Sequence, residues 1–438
     1  MNEVALLIAG KDQPSGSGAR FECHNPVTGM LVSRAAAATV GDARDAADAA
    51  AWAFPEWSET GPNHRRGLLQ KAADVLDSRA NDFVACMTDE TGATGGWAAF
   101  NVKLGAGMLR EAASITTQIT GETIPSDKPG CLAMTLRQPA GVVLGIAPWN
   151  APIILGVRAL ATPLACGNTT VLKASEICPA THRLIGDVFT AADFPDGAVN
   201  VITNAPADAG PIVDALVAHA AVRRISFTGS TRIGRIVAEA AARELKPVLL
   251  ELGGKAPLVV LDDADLDEAV NAAAFGAFLN QGQICMSTER VVVDARIADE
   301  FVSRFARKAE TLPAGDSRSG NVVLGSLISA EAADHFEALV RDAVAKGATL
   351  RAGGRREGTI VDATILDHVT RDMRIYAEES FGPVACILRV TDTEDVIRAG
   401  NDTEYVLAAA VSGRDVARGP GGSAHPLRHL PHQRANGA

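Results

Sequence analysis

The sequence predicts an α/β protein with two parallel-sheet domains and a projecting β-hairpin arm. Its 438 residues exceed the size at which one hydrophobic core stops growing, so two or more domains are expected. Ala-rich segments with helical periodicity alternate with short β-branched runs, the pattern of parallel βαβ units. Between the early helices and the first strong strand, "ITGETIPSDKPGCLAMTLRQPAG" combines Pro and Gly with alternating apolar residues, which predicts a protruding hairpin suited to subunit contacts.

Taken in order, "VGDARDAADAAAWAFPEW" begins the helical series. The runs "GVVLGIAP", "TTVLKAS", "VNVIT", "RRISFTGS", "PVLLELGG" and "APLVVLDD" read as strands separated by helices. A second alternating series follows from about Asp265, with "ERVVVDA" and "PVACILRV" as its clearest strands, and places a domain boundary near "ELGGK". No internal repeat interrupts this order.

Composition narrows the function classes. With 47% hydrophobic and 21% charged residues the chain reads as an ordinary globular protein, and a net charge of -11 argues against nonspecific nucleic-acid binding. Seven scattered cysteines without a CxxC motif read as reduced thiols, which places the expected compartment in the cytoplasm. The N-terminus "MNEVALLIAGKDQ" lacks the basic start and long apolar stretch of a signal peptide. The longest apolar runs break at Gly or Pro well before the ~20 residues a membrane span needs, so no transmembrane helix is expected. Ahead of the tail that follows Arg418 the histidines form neither HxxxH nor HExxH, and no metal site is expected.

Five stretches contain residues suited to chemistry. In "RRISFTGSTRIG" a strand runs through a Gly-Ser turn into a helix opening at Ser230 or Thr231, and the Gly229-to-Gly234 spacing fits either a phosphate site or a capped turn. Lys173 ends a strand with Glu176 three residues on; the pair fits ribose hydroxyls at a sheet edge or a solvated loop. A carboxylate accepting both hydroxyls repels a 2′-phosphate and so favours NAD over NADP. Glu251 follows an apolar run ahead of Gly253 and Gly254, where burial would raise its pKa toward that of a general base; an edge carboxylate facing water is the other reading. Trp149 and Asn150 lie in a Pro-flanked turn, and the Asn amide suits either an oxyanion or the turn itself. Cys285 stands in "NQGQICMST", too polar for a core stripe, and Cys is well suited to add to a carbonyl carbon. Cys86, Cys166 and Cys386 sit in apolar patterns and are expected in the core.

Together, "PWNAP", "KASE", "FTGSTRIG", "LELGGKAP", "FLNQGQICMSTER" and "EESFGPV", in this order and spacing, resemble the NAD(P)-dependent aldehyde dehydrogenase superfamily, and most of all its salicylaldehyde-oxidising branch. The resemblance covers residues 1 to about 418. It implies an NAD-binding Rossmann-type domain over 1–118 and 140–250, an oligomerisation hairpin over 119–139 and a catalytic domain over 251–418, with a homodimer in the full-length form. It further implies that Cys285 is the nucleophile, Glu251 the base, and Asn150 the oxyanion donor together with the Cys285 backbone N–H. Lys173 and Glu176 would hold the adenosine ribose; Ser230 beside Gly229, with Gly234, would meet the pyrophosphate; Trp149, Glu379 and Phe381 would complete the NAD site. Trp97 and Arg158 match a substrate pair, Arg158 meeting a phenolic oxygen; helix packing for Trp97 and a surface role for Arg158 are the alternatives.

The chain departs from the family near its end. After Arg418 it reads "GPGGSAHPLRHLPHQRANGA", a tail whose composition predicts disorder, and a one-base frameshift just after Arg418 would account for it. Val406 and Ser412 also depart from the family pattern. Three readings follow: an NAD-dependent aromatic aldehyde dehydrogenase, a truncated and inactive fragment that at most binds NAD, and a related enzyme that passes its thioester to coenzyme A.

Overall fold

The computed structural model describes residues 1–320 and 322–413. The expected tail at 419–438, and the frameshift after Arg418, lie outside the described residues. The described residues form two compact units: one comprises residues 1–25, 29–91 and 98–251, the other residues 26–28, 92–97, 252–320 and 322–413. Glu251 thus closes the first unit, and Trp97 belongs to the second.

The first unit is built on a seven-stranded sheet in the spatial order Val248–Glu251, Val222–Thr228, Val142–Ile146, Thr169–Lys173, Val199–Ile202, Leu6–Ile8 and Lys11–Gln13. From Val248–Glu251 to Val199–Ile202 neighbouring strands run parallel, and the two N-terminal strands join antiparallel. Val142–Ile146 and Thr169–Lys173 are buried at every residue, as expected of strands covered on both faces. Helices Pro152–Ala165 and Val40–Glu59 pack on them. The latter starts at a capping box in which Thr39 and Asp42 exchange bonds between side chain and backbone. The chain proceeds from Val142–Ile146 outward in one direction, then returns to lay Val222–Thr228 on the other flank, so its topological switch lies between those two strands. A hairpin pairs Glu122–Ile124 with Ala133–Thr135.

The second unit holds a six-stranded sheet in the order Thr349–Ala352, Thr364–Asp367, Val384–Val390, Thr288–Asp294, Ala256–Val260 and Ala410–Ser412. Alternate residues of its strands feed two cores: Val291 and Val293 join Leu258, Phe301 and Phe305 on one face, while Val292 joins Val259, Phe336 and Leu339 on the other. Both faces are therefore dry.

Two expectations need correction. Cys86 and Cys386 are buried, but Cys166 is only half-buried because it caps the C-terminus of helix Pro152–Ala165. The apolar run before Glu251 is an edge strand with one flank open, so Leu249 is 58% exposed and Glu251 itself is partly exposed.

Candidate active site

The first unit gathers several of the expected residues along one rim of its sheet. Ile146 stands opposite both Lys173 and Phe227, and Thr228 stands opposite Glu251, so the strand ends before Asn150, Lys173, Ser230 and Glu251 lie side by side. This is the carboxyl edge at the switch point, where open α/β sheets bind ligands. After Ile146 the chain turns through Trp149, partly exposed, and Asn150, 6% exposed, before Pro152 starts the next helix. Pro can open a helix because its missing N–H would have had no partner there.

At the next turn Gly229 N–H donates to Glu251 O, and Ser230 caps helix Thr231–Arg243 by accepting from Ile233 N–H at 3.3 Å. Ser230 is exposed, so the N-terminal turn of this helix offers its N–H groups and dipole to an anion. Gly234 lies deeper than expected: it is buried, and its N–H bonds Ser230 O inside the helix, which leaves it a packing position. Arg158 donates to Thr228 Oγ1 at 2.9 Å beside this turn.

Lys173 and Glu176 form a partly buried ion pair rather than a fully solvated one, with side-chain exposures of 7% and 22%. The loop between them is held in place. Ser175 N–H donates to Nδ1 of His182 at 2.9 Å, and burial pushes the pKa of His182 down to about 4, so the ring is a neutral acceptor at pH 7. The buried carboxylate of Glu90 accepts the N–H groups of Ala180 and Thr181, bracing the start of the helix that follows. Asn204 donates to Glu176 Oε1 at 3.0 Å. Glu90 and Asn204 act on partners remote along the chain, and His182 reaches back over a loop to Ser175, so none of the three is marked by a local sequence signal.

The second unit carries Cys285, partly exposed, just after a tight turn. Asn280 and Gln281 both adopt left-handed backbone there, with φ of 49° and 55°, a conformation costly for residues with a side chain. The turn is pinned by Gln281 Nε2 and Gln283 Nε2, which both donate to Ser326 O, and by Ser287 Oγ, which donates to Gly282 O. The backbone of Cys285 crosses Gly254 so closely that a Cβ on Gly254 would stand 2.0 Å from Cys285 O. Only glycine permits that crossing.

Gly254 N–H also donates to Glu379 Oε1 at 3.0 Å, and a Cβ on Gly253 would meet Glu379 Oε2 at 2.7 Å. Burial raises the Glu379 pKa to about 7, against the opposing effect of the Gly254 N–H. Phe381 follows in a left-handed conformation with φ of 46°. The turn carrying both is clamped from below: Glu289, 3% exposed, accepts N–H groups from Ser380 and Phe381, and fully buried Lys255 donates to Glu289 Oε2 and to Glu378 O at 2.6 Å. Lys255 and Glu289 lay inside the quoted motifs without being assigned a role. Trp97 is 5% exposed, and its N–H donates to Thr94 Oγ1 at the start of helix Gly95–Ile115. Among the described residues, no cluster of His, Cys, Asp or Glu has the makings of a metal site, and no helix is long and apolar enough to cross a membrane.

The donor set fits a dinucleotide: a lysine beside a carboxylate for ribose hydroxyls, and an open, Ser-capped helix start for a pyrophosphate. Comparison with known proteins points the same way. The model of the aldehyde dehydrogenase family matches residues 13–420. The chain is 60% identical to a vanillin dehydrogenase of Pseudomonas fluorescens over 95% of its own length and 86% of that protein. It is 50% identical to a salicylaldehyde dehydrogenase of Pseudomonas putida over 91% of its own length and 83% of that protein. A crystal structure of a salicylaldehyde dehydrogenase from Pseudomonas putida G7 complexed with salicylaldehyde superposes with a TM-score of 0.94 at 48% identity, covering 98% of this chain and 87% of that one.

Proposed function

Because the chain belongs to the aldehyde dehydrogenase family, and is thus an oxidoreductase, we propose that it oxidises aromatic aldehydes bearing a phenolic oxygen, of the salicylaldehyde or vanillin kind, to carboxylic acids with NAD. The observation that carries the chemistry is the partly exposed Cys285 held on a strained, multiply pinned turn over Gly254. The fold positions this sulfur against a cost in backbone strain, as sites of covalent catalysis do.

In this reading the Cys285 thiolate adds to the aldehyde carbon. The resulting thiohemiacetal oxyanion accepts hydrogen bonds from the Asn150 amide and the Cys285 backbone N–H. NAD, when bound, supplies the acceptor for the hydride that leaves this carbon. Glu251 takes a proton from the water that attacks the Cys285 thioester, and the carboxylic acid departs. Lys173 and Glu176 hold the adenosine ribose, the turn at Gly229 and Ser230 receives the pyrophosphate, and Trp149, Glu379 and Phe381 border the rest of the cofactor. Arg158 and Trp97 are assigned to the phenolic oxygen and the aromatic ring of the substrate. The hairpin at 119–139 serves pairing with a second copy, and the thiol state of all seven cysteines supports a cytoplasmic setting.

The test is NADH formation by the full chain with salicylaldehyde, vanillin and benzaldehyde beside an aliphatic aldehyde. Turnover is expected with the phenolic substrates, and Cys285→Ser should lower it by roughly three orders of magnitude or more while retaining NAD binding. NAD binding without NADH formation from any aldehyde would instead support the inactive-fragment reading. A product that appears only with coenzyme A would support the acylating one.

A further inference from the structure

We propose that Asn204 is a positioning residue that sets the choice between NAD and NADP by fixing the carboxylate of Glu176; this rests on the reading that Glu176 holds the adenosine ribose. Asn204 is fully buried. It follows strand Val199–Ile202, the neighbour of the strand that ends in Lys173. Its Nδ2 donates to Glu176 Oε1 at 3.0 Å and to Ala205 O at 2.9 Å. Both partners are acceptors, so the amide has only one workable orientation: a flip would set Oδ1 against a carboxylate and a carbonyl. In the orientation it takes, Oδ1 is buried and accepts from no protein group among the described residues.

The second donor to Glu176, Lys173 Nζ, also lands on Oε1. Two donors on one oxygen leave the acceptor capacity of Oε2 for an incoming hydroxyl, and they fix the rotamer that presents it. With both ribose hydroxyls free, as in NAD, such a carboxylate is satisfied. A 2′-phosphate meets it as like charge, and the buried amide prevents the carboxylate from swinging aside. Removing the amide therefore costs NAD an ordered acceptor and relieves NADP of a fixed repulsion.

The test is calorimetric titration of the full chain with NAD and with NADP, in the wild type and in Asn204→Ala, Asn204→Asp and Glu176→Gln. Asn204→Ala is expected to weaken NAD about tenfold, the scale of a lost hydrogen bond to a charged group, while NADP changes by less than about twofold or improves. Asn204→Asp, which sets a second carboxylate against Glu176, should weaken NAD further. A parallel loss for both cofactors would mean a structural role only and would overturn the proposal, as would an unchanged NAD-to-NADP ratio in Asn204→Ala when Glu176→Gln does shift it. If Glu176→Gln leaves NAD affinity untouched, the ribose assignment itself fails and Asn204 falls with it. Should the alanine chain fail to fold, Asn204→Ser, which keeps a donor, must show the same selective shift on a smaller scale.

Discussion

Glu379 shows how a single side chain can be read differently once its surroundings are known. In the sequence it is one of two adjacent glutamates in "EESFGPV". In the fold it is buried against the Gly253–Gly254 corner with a pKa raised to about 7, chiefly by desolvation, while Glu289 adds repulsion and Lys255 attraction. The unfolded chain releases this proton near 4.5, so between about pH 4.5 and 7 the folded state binds more protons than the unfolded one. The stability that Glu379 contributes is complete below that window and is lost as pH rises through it. Urea midpoints of cofactor-free wild type relative to Glu379→Gln should therefore decline from about pH 4.5 to 7; parallel curves would mean that Glu379 does not titrate there. Neighbouring Glu378 contrasts with it: the Arg374 guanidinium holds its carboxylate below the ordinary range. Adjacent identical residues thus differ because one faces packed backbone and the other a cation.

At the scale of the element, the turn bearing Cys285 is held by strained backbone and close crossings. Three consecutive residues, Asn280 to Gly282, have positive φ, and a Cβ on Gly282 would stand 2.1 Å from Gly382 O. Gly254 makes a comparably close approach, to Cys285 O. The substitution Gly254→Ala must push Cys285 away and is expected to cost about 1–3 kcal/mol of stability through overpacking. Its effect on NADH formation should exceed what the fraction unfolded explains, because the displaced atom belongs to the nucleophile's own residue. Melting temperature and turnover measured together decide this, and a stable variant with normal turnover would show that the crossing is not needed. None of this strain was legible in "FLNQGQICMST", whose polar residues marked only that Cys285 stands outside a core stripe. The strand-turn-helix at Ser230 was legible, because a Ser cap and a β-branched strand are local signals.

At the scale of the molecule, the hairpin stands out as apolar surface. Ile124, Leu132, Met134 and Leu136 are 43%, 70%, 53% and 73% exposed, on a two-stranded piece with little burial of its own. Isolated hairpins are marginal in water, and a patch of this kind marks an interaction surface. The double substitution of Leu132 and Leu136 by Lys is expected to shift the chain from dimer toward monomer in sedimentation without lowering the helical signal in circular dichroism. A wild type that sediments as a monomer at micromolar concentration would remove the hairpin's proposed role.

The sequence by itself determined the alternation of strands and helices, the strand ends at Lys173 and before Ser230, the helix opening at Val40 and the hairpin, and its motifs carried the family resemblance. These depend on periodicity, caps and turn residues that act over a few positions. The short N-terminal strands, such as Leu6–Ile8, escaped it, and the edge position of Val248–Glu251 stayed one of two open readings, because sheet order is set by pairing between distant segments. Only the tertiary structure decided which polar residues are buried and whom they hold: Asn204 on Glu176 across 28 residues, Glu90 on Thr181 across 91, Glu289 on Ser380 across 91. A buried polar group must find its partner wherever the fold places one, and that placement is a property of the packed chain rather than of any stretch of it.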